Sequence, residues 1–99
     1  MKRTKSMYVK KTAESEELFW FAASNDFLYR SAIQPVIQNL KKKVDKGIYD
    51  ADKALDLWYV VATTAADLYK KKFGGYFDVT SRFTVAAGLA EEYAEELEE

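Results

Sequence analysis

The chain has 99 residues, of which 48% are apolar and 31% charged, with a formal net charge of -1. This length fits one domain with a single core. The absence of cysteine and histidine excludes disulfides, thiolate metal sites and the commonest general base. The balanced charge gives no overall attraction to nucleic acid or anionic lipid. No apolar run reaches the roughly 20 residues of a membrane span, so we expect a cytoplasmic protein without a membrane partner.

The first eleven residues carry five positive charges and little apolar periodicity. They predict a flexible basic arm, followed by a single helical domain over residues 12–99. An ordinary frayed terminus is the simpler interpretation of the same residues. If the arm contacts phosphate, the candidate residues are its cations: Lys2, Arg3, Lys5, Lys10 and Lys11.

A short aromatic helix is predicted next. Thr12 or Ser15 can cap it, and the glutamates that follow suit the positive end of the helix dipole. Residues 18–23 are apolar in every direction around a helix, so more than one neighbour must cover them. The segment Ser24-Asn25-Asp26 ends this helix and can cap the next one.

The second predicted helix covers about residues 27–46 and ends at Gly47. Pro35 lies inside it, removes a hydrogen bond and disfavours helical geometry at the preceding residue. We therefore expect either one kinked helix or a short turn followed by a helix that starts at Pro35, with a slight preference for the kink. The spacing of its apolar residues predicts one buried stripe: Leu28, Ile33, Val36, Ile37, Leu40 and Val44.

The third predicted helix begins after an Asp50 cap and ends at Gly74, a rod of roughly 35 Å. Within it, residues 58–64 are rich in strand formers, and residues 73–76 could turn a hairpin. These features leave a mixed α/β fold as an alternative. Apolar residues recur every three or four positions on both sides of the segment, which favours the helix.

The last predicted helix begins near Asp78 or Thr80 and runs to the C-terminus. Its predicted apolar stripe consists of Phe83, Ala86, Ala87, Ala90, Tyr93, Ala94 and Leu97. The predicted fold is therefore all-α, a compact bundle of three long helices with a short aromatic N-terminal helix.

Two lysine clusters, residues 41–46 and 70–72, suggest nucleic-acid binding. If the second and third helices are antiparallel neighbours, the clusters lie at opposite ends, each near acidic residues, and form no single basic stripe. Glutamates crowd the last predicted turns, where they oppose the helix dipole. They can form a solvated face, pair with residues 41–46, or bind a basic partner.

The sequence shows no catalytic constellation, so we expect neither an enzyme nor a cofactor or metal site. Asp50 and Asp52 are explained by capping and first-turn placement, and Gly74-Gly75 lacks the spacing of a phosphate loop. The many aromatic residues are expected mostly in the core, with a partner or self-association surface as the alternative. The candidate partner surface consists of Glu91, Glu92, Glu95, Glu96, Trp20 and Tyr59.

Several short segments of the chain are similar to segments of a known set of proteins. They are Leu28-Tyr29-Arg30, Pro35 to Lys43, Lys46 to Asp50, Lys53-Ala54, Val61-Ala62-Thr63, Ala65-Ala66, Leu68-Tyr69, Phe73-Gly74 and Arg82. Over residues 16–97 the chain resembles a set of small helical proteins encoded by phages and mobile elements of gut bacteria. The resemblance implies a genomic context and brings no catalytic residues with it.

Two functions follow as hypotheses. The main one is a non-enzymatic interaction module of a phage or mobile element that binds a host protein, such as a defence or nucleic-acid-handling factor. The alternative is a small nucleic-acid-binding accessory protein that uses the basic arm and the lysine clusters. A homo-oligomer, for example a homodimer joined by aromatic helices, is compatible with both.

Overall fold

The computed structural model describes residues 13–98, which form four α-helices and contain no strand. Helix α1 covers Ala13–Ser24, α2 covers residues 26–46, α3 covers Ala51–Phe73 and α4 covers Val79–Glu92. A 3-10 segment, Ala94–Glu98, follows α4. The all-α prediction is confirmed, and the mixed α/β alternative is wrong because residues 58–64 are helical. The predicted basic arm and the Thr12 cap lie outside the described residues.

Three of the helices begin at a capping side chain. Asn25, Asp50 and Asp78 each accept a hydrogen bond from the backbone N–H three positions later, at 3.0, 3.3 and 2.8 Å. Such caps satisfy amide groups that a helix start leaves without partners. The bonds from Ser81 also lower the pKa of Asp78, because they stabilise its carboxylate form. The predicted caps at Asn25 and Asp50 are confirmed.

Helix α2 continues through Pro35 by changing its pitch just before it. Asp26–Leu28 is α-helical, Tyr29–Ile33 is a π turn, and Gln34–Lys46 is α-helical again. The N–H of Gln34 bonds to the carbonyl of Tyr29, five residues back. A wider turn suits a proline because its ring otherwise clashes with the carbonyl four residues earlier. The helix is therefore not split at Pro35, and the π turn is its local adjustment.

Glycines with positive φ end α2 and α3. Gly47 has φ 74°, and its N–H bonds to Val44 while Ile48 bonds back to Lys43. This pair of bonds is the Schellman arrangement, which favours glycine because a Cβ strains the left-handed backbone. Gly74 ends α3 with φ 80°. Both predicted stops are confirmed.

The C-terminal prediction requires two corrections. The α-helix does not run to the C-terminus; it ends at Glu92 and a 3-10 segment follows. The predicted stripe is also only partly right: Ala86 and Tyr93 are buried, Phe83 is exposed, and Val85 and Leu89, which the prediction omitted, are buried as well. Valine and leucine bury more apolar area than alanine, so they contribute more to the inward face.

Helix α4 packs against both α3 and α1, and α1 also contacts α3. The indole of Trp58, 2% exposed, lies in this core and stacks on the ring of Tyr93 at 5.7 Å. The π turn of α2 contacts α3, whereas the second half of α2 contacts α3 only sparsely and packs more extensively against the 3-10 segment. The contact between α2 and α3 therefore involves the π turn more than the second half of α2.

In residues 13–98 no helix combines the length and the apolar character that crossing a bilayer requires.

Candidate interaction surface

The two aromatic members of the predicted partner surface have different environments. Trp20 is 56% exposed on α1 and contacts Phe19 edge-on at 5.0 Å. Tyr59 is half-buried on α3, where its ring contacts Phe83 at 4.4 Å and lies 5.7 Å from the guanidinium carbon of Arg82. Within the described residues no ring contact joins Trp20 to Tyr59, so they do not form one patch by direct contact.

The four glutamates of the predicted surface are only partly available. Glu91, Glu92 and Glu96 are half-buried, and Glu95 is exposed. One carboxylate oxygen of Glu91, Oε1, is buried without a hydrogen-bond partner in the described part. The 3-10 segment that carries Glu95 and Glu96 lies along the second half of α2. The acidic region is therefore partly packed into the fold rather than projecting from it.

The lysine clusters lie at opposite ends of α3. Lys43 shares a groove of about 230 Å³ with Asp50 and Lys53 at the start of α3. Residues 70–72 form the end of the same helix, roughly 30 Å away. Within residues 13–98 none of the lysines at 41–43, 46 or 70–72 forms an ion pair. The described residues therefore form no continuous basic stripe, and the five candidate phosphate contacts of the arm lie outside them.

Where α3 meets α1 and α4, four aromatic rings contact one another. We call this cluster the aromatic corner; it consists of Phe21, Tyr69, Phe73 and Phe77. Tyr69 lies at its centre, 5.3 Å from Phe21, 4.9 Å from Phe73 and 5.2 Å from Phe77 between ring centroids. Phe21 also contacts Phe73 at 6.1 Å. Edge-on and tilted aromatic pairs of this kind are favourable beyond the area that they bury.

A hydrogen bond between helices fixes the centre of the corner. The hydroxyl of Tyr69 donates to Glu17 Oε2 of α1 at 2.7 Å. This bond, reinforced by desolvation and by the charge of Glu17, raises the pKa of Tyr69. The ring of Tyr69 is therefore held between α1 and the loop that precedes α4, and the corner is a defined structure at the surface.

The corner is open to solvent on one side. Phe77 is buried, but Phe73 is 66% exposed, and Tyr76 in the bordering loop is 72% exposed. Lys70, Lys71 and Lys72, in the last turn of α3, are also exposed. The expectation that the aromatic residues lie mostly in the core is thus wrong for Phe73 and Tyr76, and also for Trp20 and Phe27.

The sequence contains a signal for this surface that the prediction did not use. Tyr69 and Phe73 are four residues apart, so they share one side of the last helical turn. Gly74 and Gly75 follow immediately, with φ of 80° and 100°, and turn the chain away. No further helical turn then covers Phe73, because α3 ends there.

Among the described residues no group of three or more acidic side chains is arranged to hold a metal ion. The open aromatic corner, with its adjacent lysines, is the candidate surface that residues 13–98 present. No family model, curated protein or solved structure significantly matches this chain.

Proposed function

We propose that the protein is a non-enzymatic interaction module that binds a partner protein through the aromatic corner. The sequence resemblance supports placing it in a phage or mobile element. Its partner is then a host protein of the cytoplasm, for which a defence or nucleic-acid-handling factor is the leading candidate. The compact bundle of three long helices with a short aromatic helix serves as the scaffold that presents the contact surface.

One observation carries this proposal, namely the exposure of Phe73 and Tyr76 beside an ordered aromatic cluster. An exposed aromatic ring normally loses contacts with its own fold, but Phe73 keeps edge and tilted contacts with Phe21 and Tyr69. A ring that is already held in place loses little conformational freedom on binding. Aromatic anchors of this kind contribute most of the binding energy in many protein interfaces.

The acidic region supports a protein contact less well than the aromatic corner. Three of its four candidate glutamates are half-buried, and the segment that carries Glu95 and Glu96 packs against α2. A basic partner would therefore meet carboxylates that are partly covered. We assign the main contact to the corner and keep the acidic region as a second, weaker surface.

Site-specific photocrosslinking tests this proposal. A photoreactive phenylalanine analogue, p-benzoylphenylalanine, replaces Phe73 in the full chain, which is expressed in the organism that encodes it. The same analogue at Val60 is the matched control, because Val60 is on the same helix, 60% exposed, and about 20 Å away. We expect a covalent protein adduct at position 73 and none at position 60. Adducts at neither position, or equally at both, contradict the proposal.

Nucleic-acid binding is the second candidate, and the lysines next to Phe73 and Tyr76 favour it. Exposed aromatic rings stack on unpaired bases, while lysines neutralise phosphates. Gel shifts with single-stranded oligonucleotides over a salt series test this function. True phosphate contacts weaken steeply as salt rises, and the absence of a shift at low salt removes this candidate.

A further inference from the structure

We propose that the aromatic corner binds an acidic segment of its partner, in which an apolar side chain lies between carboxylates. This inference rests on the proposed function, because it specifies the chemistry of the partner at the same surface. It comes from the positions of the three exposed lysines around the two rings of α3.

The end of α3 has a definite angular layout. Successive helical residues are about 100° apart, so Tyr69 and Phe73 lie within about 40° of each other and form one stripe. Lys70 and Lys72 lie about 80° from the middle of that stripe, on opposite sides. Lys71 lies about 180° from it, on the opposite face of the helix. Two lysines therefore flank the rings and the third does not.

This layout is complementary to an acidic segment with an apolar centre. An apolar side chain can lie on Phe73, while carboxylates on either side of it reach Lys70 and Lys72. Cations near a helix C-terminus are already favourable through the helix dipole, which accounts for the presence of the lysines. The dipole does not account for two of them flanking a stripe that ends in the exposed ring of Phe73.

A second copy of this chain is a less suitable occupant. Its 3-10 segment contains Glu95, Glu96, Leu97 and Glu98, which is the required pattern of an apolar residue between acids. Leu97, however, is half-buried and packs against the core of its own copy. Because the segment would have to leave its own fold to bind, the surface fits a separate partner better.

Fluorescence anisotropy on the full-length chain tests this inference. The probe is a short fluorescein-labelled peptide with one phenylalanine flanked on both sides by glutamates, and the comparison peptide has glutamine in place of glutamate. We expect Lys70→Gln and Lys72→Gln each to weaken binding of the acidic peptide about threefold. Lys71→Gln is the matched control and should leave affinity unchanged. Phe73→Ala should weaken it about tenfold or more, and because Phe73 is 66% exposed this change should leave the fold intact.

Several outcomes overturn the inference. They are equal binding of the glutamine peptide, an equal loss from Lys71→Gln, or no peptide binding at all. Binding of single-stranded oligothymidine but not of the peptide assigns the surface to nucleic acid instead. If light scattering shows that the molecular mass falls when Phe73 is replaced by alanine, the surface belongs to a contact with a second copy of this chain. If the peptide does not bind but the crosslink at position 73 still captures a protein, this inference is wrong while the proposed function remains supported.

Discussion

Replacing Tyr93 by phenylalanine should remove an alkaline sensitivity from the fold. The side chain is 8% exposed and stacks on Trp58, with the ring of Tyr29 at 6.3 Å. Burial, with smaller contributions from Glu92, Tyr29 and Glu96, raises the pKa of Tyr93 to about 12. Phenylalanine keeps the ring and its stacking but cannot ionise, so the substitution isolates the effect of the phenolic proton.

The sign of the effect follows from linkage. The unfolded tyrosine has a pKa of about 10, so the folded value is raised and the neutral phenol is favoured in the folded state. The resulting stability is complete below pH about 10 and is lost as the pH rises towards about 12. A difference of about 2 between the folded and unfolded pKa values of Tyr93 corresponds to about 1.4 kcal/mol of folding stability at pH about 11. We expect about 1 kcal/mol, because the residual exposure of the ring lets water screen part of the effect.

Urea denaturation followed by circular dichroism measures this difference. Between pH about 9 and about 11, the free energy of unfolding of the wild type should fall by about 1 kcal/mol more than that of Tyr93→Phe. Tyr76→Phe is the control and should follow the wild type, because Tyr76 is 72% exposed. If wild type and Tyr93→Phe lose stability in parallel, burial at this position does not hold the proton, and the reasoning is refuted.

Three further substitutions test the architecture at neutral pH. Gly47→Ala should lower the free energy of unfolding by about 1 kcal/mol through backbone strain alone, because an added Cβ meets nothing within 4 Å. A loss beyond about 3 kcal/mol in urea denaturation would indicate a steric clash instead. Trp58→Ala should lower the free energy of unfolding by about 3–5 kcal/mol, which would appear as a large drop in melting temperature. A loss of less than about 1 kcal/mol would contradict the position of Trp58 in the core. Asp50→Ala should lower the free energy of unfolding by about 1 kcal/mol and speed hydrogen exchange at the Asp52 and Lys53 amides, which donate to the Asp50 carboxylate. Unchanged exchange would show that the cap is not needed.

The helix boundaries were predictable because they depend on local chemistry. Asn25 and Asp50 cap the helices that they precede, and Gly47 and Gly74 end theirs with positive φ. Each of these effects involves residues within a few positions of one another, so a single sequence is sufficient. The prediction that residues 58–64 are helical is also confirmed, because helical periodicity on both sides outweighed their strand propensity.

Features that depend on distant neighbours were not predictable in the same way. The inward face of α4 depends on simultaneous packing against α1 and α3, which buries Val85 and Leu89 together with Ala86. The exposure of Phe73 depends on where α1 and the following loop lie. The cluster around Tyr69 was not predicted, because its rings come from distant parts of the chain and meet only in the three-dimensional arrangement.

The packing of helix α2 affects the order in which the domain folds during synthesis. The second half of this helix packs mainly against residues 94–98 and only sparsely against α3. A ribosome produces residues 34–46 well before their principal packing surface exists, since synthesis proceeds from the N-terminus. Helix α2 can form its backbone hydrogen bonds early but must wait for the last residues of α4 and the segment beyond before it docks. Until residues 94–98 have been synthesised, the second half of α2 therefore lacks the surface that covers most of it in the finished domain.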